Sequence, residues 1–213
     1  DFVNTAANIS GPLSVSVPRE FGISFLNDAL LAFKANYPEI QLTIDFDDRS
    51  VDLNRENYDF ALRITSEMKQ GANAVQIGTA GHHLYASPEY LISHTTPQCL
   101  KDLHNHNLLY FGHARRTVWQ FDDNKGKSQK IAFQPYLNSN SGLFLLNATI
   151  QGLGISRLPS FIASKSVESG DLVKVLSNFT VPEWGIYLVH PEKRLLNRRM
   201  RLFSEMMAQA CLQ

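Results

Sequence analysis

"GPLSVSVPREFGISFLNDALLAFKANYPEIQLTIDF", Gly11 to Phe46, holds two alternating runs on either side of a helical one. Leu13, Val15 and Val17 alternate with serines and stop at Pro18, the pattern of a half-buried strand. From Phe21 to Tyr37 the apolar positions Leu26, Leu30, Phe33 and Tyr37 recur at three and four residues, which predicts one helix closed by Pro38. Ile40, Leu42, Ile44 and Phe46 then share one face of a second strand. Strand, helix and strand with short connections form a βαβ unit with parallel strands and a right-handed crossover. "YDFALRI", Tyr58 to Ile64, supplies a third strand after the polar, partly helical stretch Asp47 to Asn57. Ligands of such sheets sit beyond the carboxyl ends of the strands. Pro18 to Phe21, Asp47 to Ser50 and Arg63 to Ser66 occupy those ends.

Further along, "HHLYAS" reads as a strand, Glu89 to Ile92 as a short helix and "NLLYFG" as a strand. Trp119-Gln120-Phe121 and Lys130 to Phe133 flank the turn-rich Asp122 to Gln129, as in a hairpin. The polar cluster Asn138 to Gly142 opens a helix from about Ser141 to Gln151, with Gly152 near its C-cap and a strand from Gly154 to Leu158. "DLVKVL" and "WGIYLVH" are further strands. Glu192 to Gln209 is a last amphipathic helix, with Leu195, Met200, Phe203 and Met206 or Met207 inward. This much mixed patterning exceeds one small sheet and predicts two lobes, with boundaries near Ala86 to Pro88 and His190 to Pro191.

The chain has 213 residues, 44% hydrophobic and 19% charged, which suits a globular protein with a sizeable core. Twenty basic residues balance twenty acidic ones, so the whole-chain charge makes no case for nucleic acid or an anionic membrane. No apolar run approaches the length of about 18 residues that a spanning helix needs. Cys99 and Cys211, far apart, fit reduced thiols in the cytoplasm, although one bridge stays open. The sequence has no initiating Met and no signal-peptide pattern at its start, and reads as a fragment.

The order of these elements resembles the effector-binding domain of LysR-type bacterial transcriptional regulators. The matching landmarks are "GPLSVSVPREFG", "AFKANYPEIQLTI", "YDFALRI", "LYASPEYL", "NSGLFLLNATIQGLGISRLPSF", "GDLVKVL" and "YLVHPEKRLLNRRMRLF", in the family's order from about Gly11 to Phe203. The resemblance implies an α/β fold of two Rossmann-like hinged lobes, like the type 2 periplasmic-binding-protein fold: residues 12–86 plus 189–213 in lobe I and 87–188 in lobe II. It implies a small-molecule effector in the inter-lobe cleft, homodimers of this domain, tetramers of the full protein and a winged helix-turn-helix ahead of the chain. Residues 1–11 would be the tail of the linker helix, and DNA would be touched only through the missing domain.

Carried over residue by residue, the family's first-lobe cleft wall falls on Pro18, Arg19, Glu20 and Phe21, and its Arg-apolar-Gly position on Arg63, Ile64 and Thr65. Thr65 replaces the usual glycine, so the effector is expected to differ from those of many relatives. The second-lobe contacts fall on Tyr110, Phe111, Asn140 and Ser141, and Trp119 is expected to pack rather than to contact. Two helix N-termini, at Arg19 to Phe21 and Asn140 to Gly142, would favour an anionic or strongly polar effector group. For the second, a plain helix cap is the alternative. Arg63 either grips a carboxylate or pairs with Asp47, Asp48 or Asp59.

Other chemistries find little support. His82 and His83, adjacent in a strand, point to opposite faces, and His104-x-His106 lacks accompanying ligands, so no metal or cofactor is expected. Ser139 and Ser141 lack a nucleophile-elbow motif, and Gly152-x-Gly154 lies after a helix instead of opening one, so no enzyme is expected. Arg194, Arg198 and Arg201 recur on one helical face opposite the apolar stripe and read as solvated. A solute-binding protein of a transport system, with the same two-lobed architecture, is the competing reading.

Overall fold

The computed structural model describes residues 9–49, 57–68, 73–123, 125–191 and 196–212. The chain divides into two compact units, one made of the residues up to Ala80 and from Trp184 onward, the other of Gly81–Glu183.

In chain order the first unit contributes β1 (Gly11–Val17), α1 (Arg19–Ser24), α2 (Asn27–Asn36), β2 (Ile40–Phe46), β3 (Phe60–Thr65) and β4 (Asn73–Ala80). The second follows with β5 (His82–Ala86), α3 (Pro88–His94), a 3-10 turn (Leu100–Asn105), β6 (Leu108–Phe111), β7 (Thr117–Asp123), β8 (Ser128–Phe133), β9 (Leu137–Ser139), α4 (Gly142–Ile150), β10 (Ile155–Pro159), α5 (Ser160–Glu168), β11 (Val173–Val175) and β12 (Phe179–Thr180). The chain then returns to the first unit through β13 (Trp184–His190) and α6 (Arg198–Cys211).

The first unit's sheet has the order β2-β1-β3-β13-β4. β1 lies parallel to β2 and β3, as the βαβ reading requires, while β13 runs antiparallel to β3 and β4. The helix expected over Phe21 to Tyr37 is two helices, broken at Phe25 and Leu26. Phe21 and Leu26 are both buried. On one straight helix, residues five apart stand about 140° around the axis from each other, so the break lets both reach the core. Gly22 permits α1 to lie close: a Cβ there would meet Val17 and Phe46 at under 3 Å.

α6 packs against α2 and β4, so the last helix does return to the first unit. Phe203 contacts Phe33 edge-on at 5.2 Å and Phe60 at 5.8 Å, with Met200 and Met207 buried beside it. Met207, not Met206, is the inward residue. Among the described residues this helix begins at Arg198, capped by the Asn197 side chain on the Met200 N–H. Arg198 and Arg201 are exposed, as a solvated face predicts. Leu195, Arg194, the linker tail before Ile9, and most of the stretch between Asp47 and Asn57 lie outside the described residues. Cys211 packs where Gly78 leaves room, and burial pushes its thiol up to about 11, whereas Cys99 is exposed. Both cysteines are free.

The second unit's main sheet runs β11-β5-β10-β6-β9, with β10, β6 and β9 mutually parallel. One face is covered by α4 and α5, around Tyr85, Leu109, Leu145, Leu158, Ile162 and Leu172. The other lies under the β7–β8 hairpin, extended by β12, around Trp119, Phe121, Phe133, Leu108 and Ile155. Thr149 and Ser156, both fully buried, satisfy each other at 2.7 Å.

α4 ends in a Schellman motif: Leu153 N–H reaches Ala148 O and Gly152, at φ +74°, reaches Thr149 O. Both crossings between units fall before the positions read from the sequence. β5 pairs with β10 and β11, and β13 with β3 and β4, so those strands belong to the second and first units respectively.

Candidate functional site

Parallel pairing places Val17 beside Phe46, so Pro18–Arg19 and Asp47–Asp48 leave the first sheet at one edge, with the end of β3 next to them. The backbone N–H of Arg19, which starts α1, donates to Asp48 Oδ1 at 2.9 Å. That helix start therefore already faces a carboxylate, which opposes the expected preference for an anion at this end.

Phe21 is buried and stacks on Phe25 at 5.0 Å, so it belongs to the core. Arg63 donates to Ser16 Oγ at 3.1 Å and to the Leu62 carbonyl. Asp47 pairs directly with Arg49, which holds its carboxyl below the usual range through a backbone and then a side-chain hydrogen bond, Arg63 adding a weaker pull. Asp59 accepts from the Ser14 N–H. Thr65 Oγ1 closes a local turn, donating to Glu67 O and accepting from Glu67 N–H. Glu20 and Ile64 are partly exposed on this unit.

In the second unit Tyr110 and Phe111 end β6 in register with Asn138 and Ser139 of β9, and Gly112 N–H donates to Ser139 O at 2.9 Å. Ser139 Oγ accepts from Ser141 N–H, and Ser141 Oγ caps α4 on Phe144 N–H, both at 3.1 Å. The helix-cap reading of Ser141 is therefore met. Asn140 is exposed and its side chain makes no hydrogen bond among the described residues; Phe111 is 52% exposed. These four predicted residues thus share one sheet edge.

Trp119 is 1% exposed and packs against Phe133 at 4.6 Å, as expected. One residue absent from the sequence reading joins this cluster: Arg157 of β10, whose guanidinium carbon lies 5.5 Å from the Trp119 ring centroid. The signal was an arginine in the apolar run "GISRLP".

Among the described residues no three metal-ligating side chains converge. The histidines do something else. The Tyr90 hydroxyl accepts from Asn107 N–H at 3.0 Å and shares a hydrogen bond with His106 Nδ1 at 3.2 Å, while His94 stacks on the ring at 4.1 Å. Burial, then the charge of His94, hold the His106 pKa below the imidazole norm against the pull of Asp102. His83 is lowered too, by burial and then Lys174, against Glu183.

Such groups support folding above the unfolded imidazole value of about 6.5 and withdraw that support as pH falls through the depressed folded value. Thermal unfolding is therefore expected at a lower temperature at pH 5 than at pH 7. His106→Asn should shrink the difference; an unaltered pH slope would exclude His106 as a contributor.

Two α/β units, each with strand ends converging at one edge of its sheet, define a binding domain of the periplasmic-binding-protein class. The chain belongs to the LysR substrate binding domain family, whose model matches residues 6–212.

An uncharacterized HTH-type transcriptional regulator of Haemophilus influenzae is 36% identical over 190 residues, covering 89% of this chain and 66% of that protein. The probable HTH-type transcriptional regulator LtrA of Klebsiella pneumoniae is 31% identical, covering 82% and 55%. The chain thus spans less than two thirds of the length of these relatives. The CrgA regulatory domain of Neisseria meningitidis, a LysR-type transcriptional regulator, superposes with a TM-score of 0.79 at 26% identity, covering 94% of this chain and 98% of that one. Full-length AphB of Vibrio cholerae gives 0.82 at 25%, covering 96% and 69%. The family and these relatives are regulators, not enzymes, and transport is not favoured.

Proposed function

We propose that the chain is the effector-sensing part of a cytoplasmic LysR-type transcriptional regulator: a small molecule taken up at the carboxyl edges of its sheets alters DNA binding by a full-length oligomer. The family match over residues 6–212 carries this reading. Homodimers of the domain, a tetrameric full protein and DNA contact through a separate domain accompany it. No helix among the described residues is long and apolar enough to cross a membrane.

An effector switches such an assembly only through different affinities for its two states. Promoter binding by the full-length protein, followed by fluorescence anisotropy, should therefore shift with the effector. A screen of small acids, neutral compounds and amines by thermal shift would identify it, and a complete lack of effector dependence at the promoter would defeat the reading.

Asn140 offers a clean probe because it is exposed and makes no hydrogen bond among the described residues. Asn140→Ala should leave the ligand-free melting temperature unchanged and weaken the effector about 2- to 10-fold, the worth of one hydrogen bond. Calorimetric titration of both proteins checks it, and equal affinities would remove Asn140 from the site.

A further inference from the structure

The chain enters the second unit at Gly81 and leaves it at Glu183. A Cβ placed on Gly81 would stand 3.5 Å from Ser160 Oγ, 3.9 Å from His83 Nε2 and 3.9 Å from Glu183 Oε1, so these three groups border one small space in front of the glycine. Both ends of the unit therefore meet at one histidine.

Ser160, which opens α5, holds the first end. Its N–H and its hydroxyl both donate to the Gly81 carbonyl, at 2.9 and 3.1 Å, and its side chain also bonds that of the buried Tyr85. Nothing comparable holds the second end. Among the described residues neither the His83 imidazole nor the Glu183 carboxylate makes a hydrogen bond or an ion pair, although they border the same space.

The titratable groups facing His83 are Tyr85, edge-on to its ring at 6.1 Å, Lys174 of β11, in register with Tyr85, and Glu183. β10 and α5 add Leu158, its register partner, and Ser160, neither of which titrates. A proton on His83 creates a charge that burial and Lys174 disfavour and that Glu183 alone offsets. The exposed carboxylate is thereby drawn onto the imidazolium, where the pair forms a charge-assisted hydrogen bond.

We propose that His83 and Glu183 form a proton-operated latch: in mild acid the two side chains pair and tie the segment leading into β13 to β5. At neutral pH the pair is open and only the Gly81 end is held. The latch gives the domain a proton input that needs no effector, and it does not depend on the effector-sensing reading.

The test follows the 213-residue chain by NMR from pH 7.5 to 4. The Glu183 side-chain carboxyl carbon should respond twice, once with its own titration and once at the His83 midpoint, whereas exposed Glu168 should respond once. Below that midpoint the Glu183 amide order parameter should rise toward the rigid-backbone value of about 0.85. E183Q should lower the His83 midpoint and abolish the rise, and K174Q should raise the midpoint. Glu183 and Lys174 are exposed, so both variants should keep the wild-type melting temperature at pH 7.5. A single inflection at Glu183, an order parameter that does not change with pH, or a His83 midpoint unmoved by E183Q would each overturn the latch.

Discussion

Gly154→Ala is expected to lower stability by about 3 kcal/mol or more, the range of a forced backbone displacement at a buried position. A Cβ on Gly154 would stand 2.2 Å from the Asn107 carbonyl oxygen and 2.9 Å from the Asn107 Cβ. The oxygen cannot withdraw freely, because it accepts the Ile155 N–H at 2.8 Å, the bond that begins the pairing of β10 with β6. Pushing the two apart opens the centre of the second sheet, where Ile155 and Leu158 anchor the cores on opposite faces. Urea unfolding of Gly154→Ala beside Gly170→Ala isolates the cause. Gly170 has φ +83° with nothing within 4 Å of a Cβ, so alanine there should cost only the left-handed penalty of about 1–2 kcal/mol. Equal losses in the two variants would show that close backbone approach is not what requires glycine at 154.

The pair Gly152 and Gly154 was readable as helix end and turn, because glycines after an apolar helical period have few other uses. The βαβ start was readable for a similar reason: Leu13, Val15 and Val17 carry a period of two and the helix after them a longer one. The break at Phe25 and Leu26 was not, since the spacing of Leu26, Leu30 and Phe33 suits a single helix and only packing shows that Phe21 also turns inward. α5 was hidden behind Pro159, which reads as a strand stop, whereas in the fold it occupies the N-cap position and Ser160 opens the helix. β4 escaped because it is an edge strand with Val75 and Gln76 exposed, so its alternation is weak. β9 and β12, at three and two residues, are defined by their partners.

The candidate site divides the same way. Pro18 and Arg63 were legible as candidates because parallel strands bring their carboxyl ends to one edge, whereas Phe111 and Asn140 were candidates only through the family resemblance. The carboxylate of Asp48 on the Arg19 N–H was not legible, because it joins segments 29 residues apart. The contact of Arg157 with Trp119 was also out of reach, because only the register shows that its strand is the central one under the hairpin.

Trp119→Ala should have the other large effect, a loss of about 3–5 kcal/mol, as for deletion of a buried aromatic side chain. Trp119 is almost wholly buried, meets Phe133 at 4.6 Å and Phe121 at 6.3 Å, and ties the β7–β8 hairpin to the main sheet. At about 2–4 °C per kcal/mol for a chain of this size, the melting temperature should fall by about 6–20 °C. Trp119→Phe, which keeps a ring but leaves a smaller gap, should lose less than half of that. The comparison separates packing from ligand contact, since a tryptophan serving only the effector would weaken binding without moving the melting temperature. Adding R157M to each background completes a cycle. If the indole's main polar task is to hold the guanidinium, the combined loss in Trp119→Ala/R157M should fall short of the sum of the single changes, because Arg157 over an emptied pocket has already lost the ring it packs on. Strict additivity would mean that the two side chains touch without depending on each other, and that Arg157 is positioned by its strand alone.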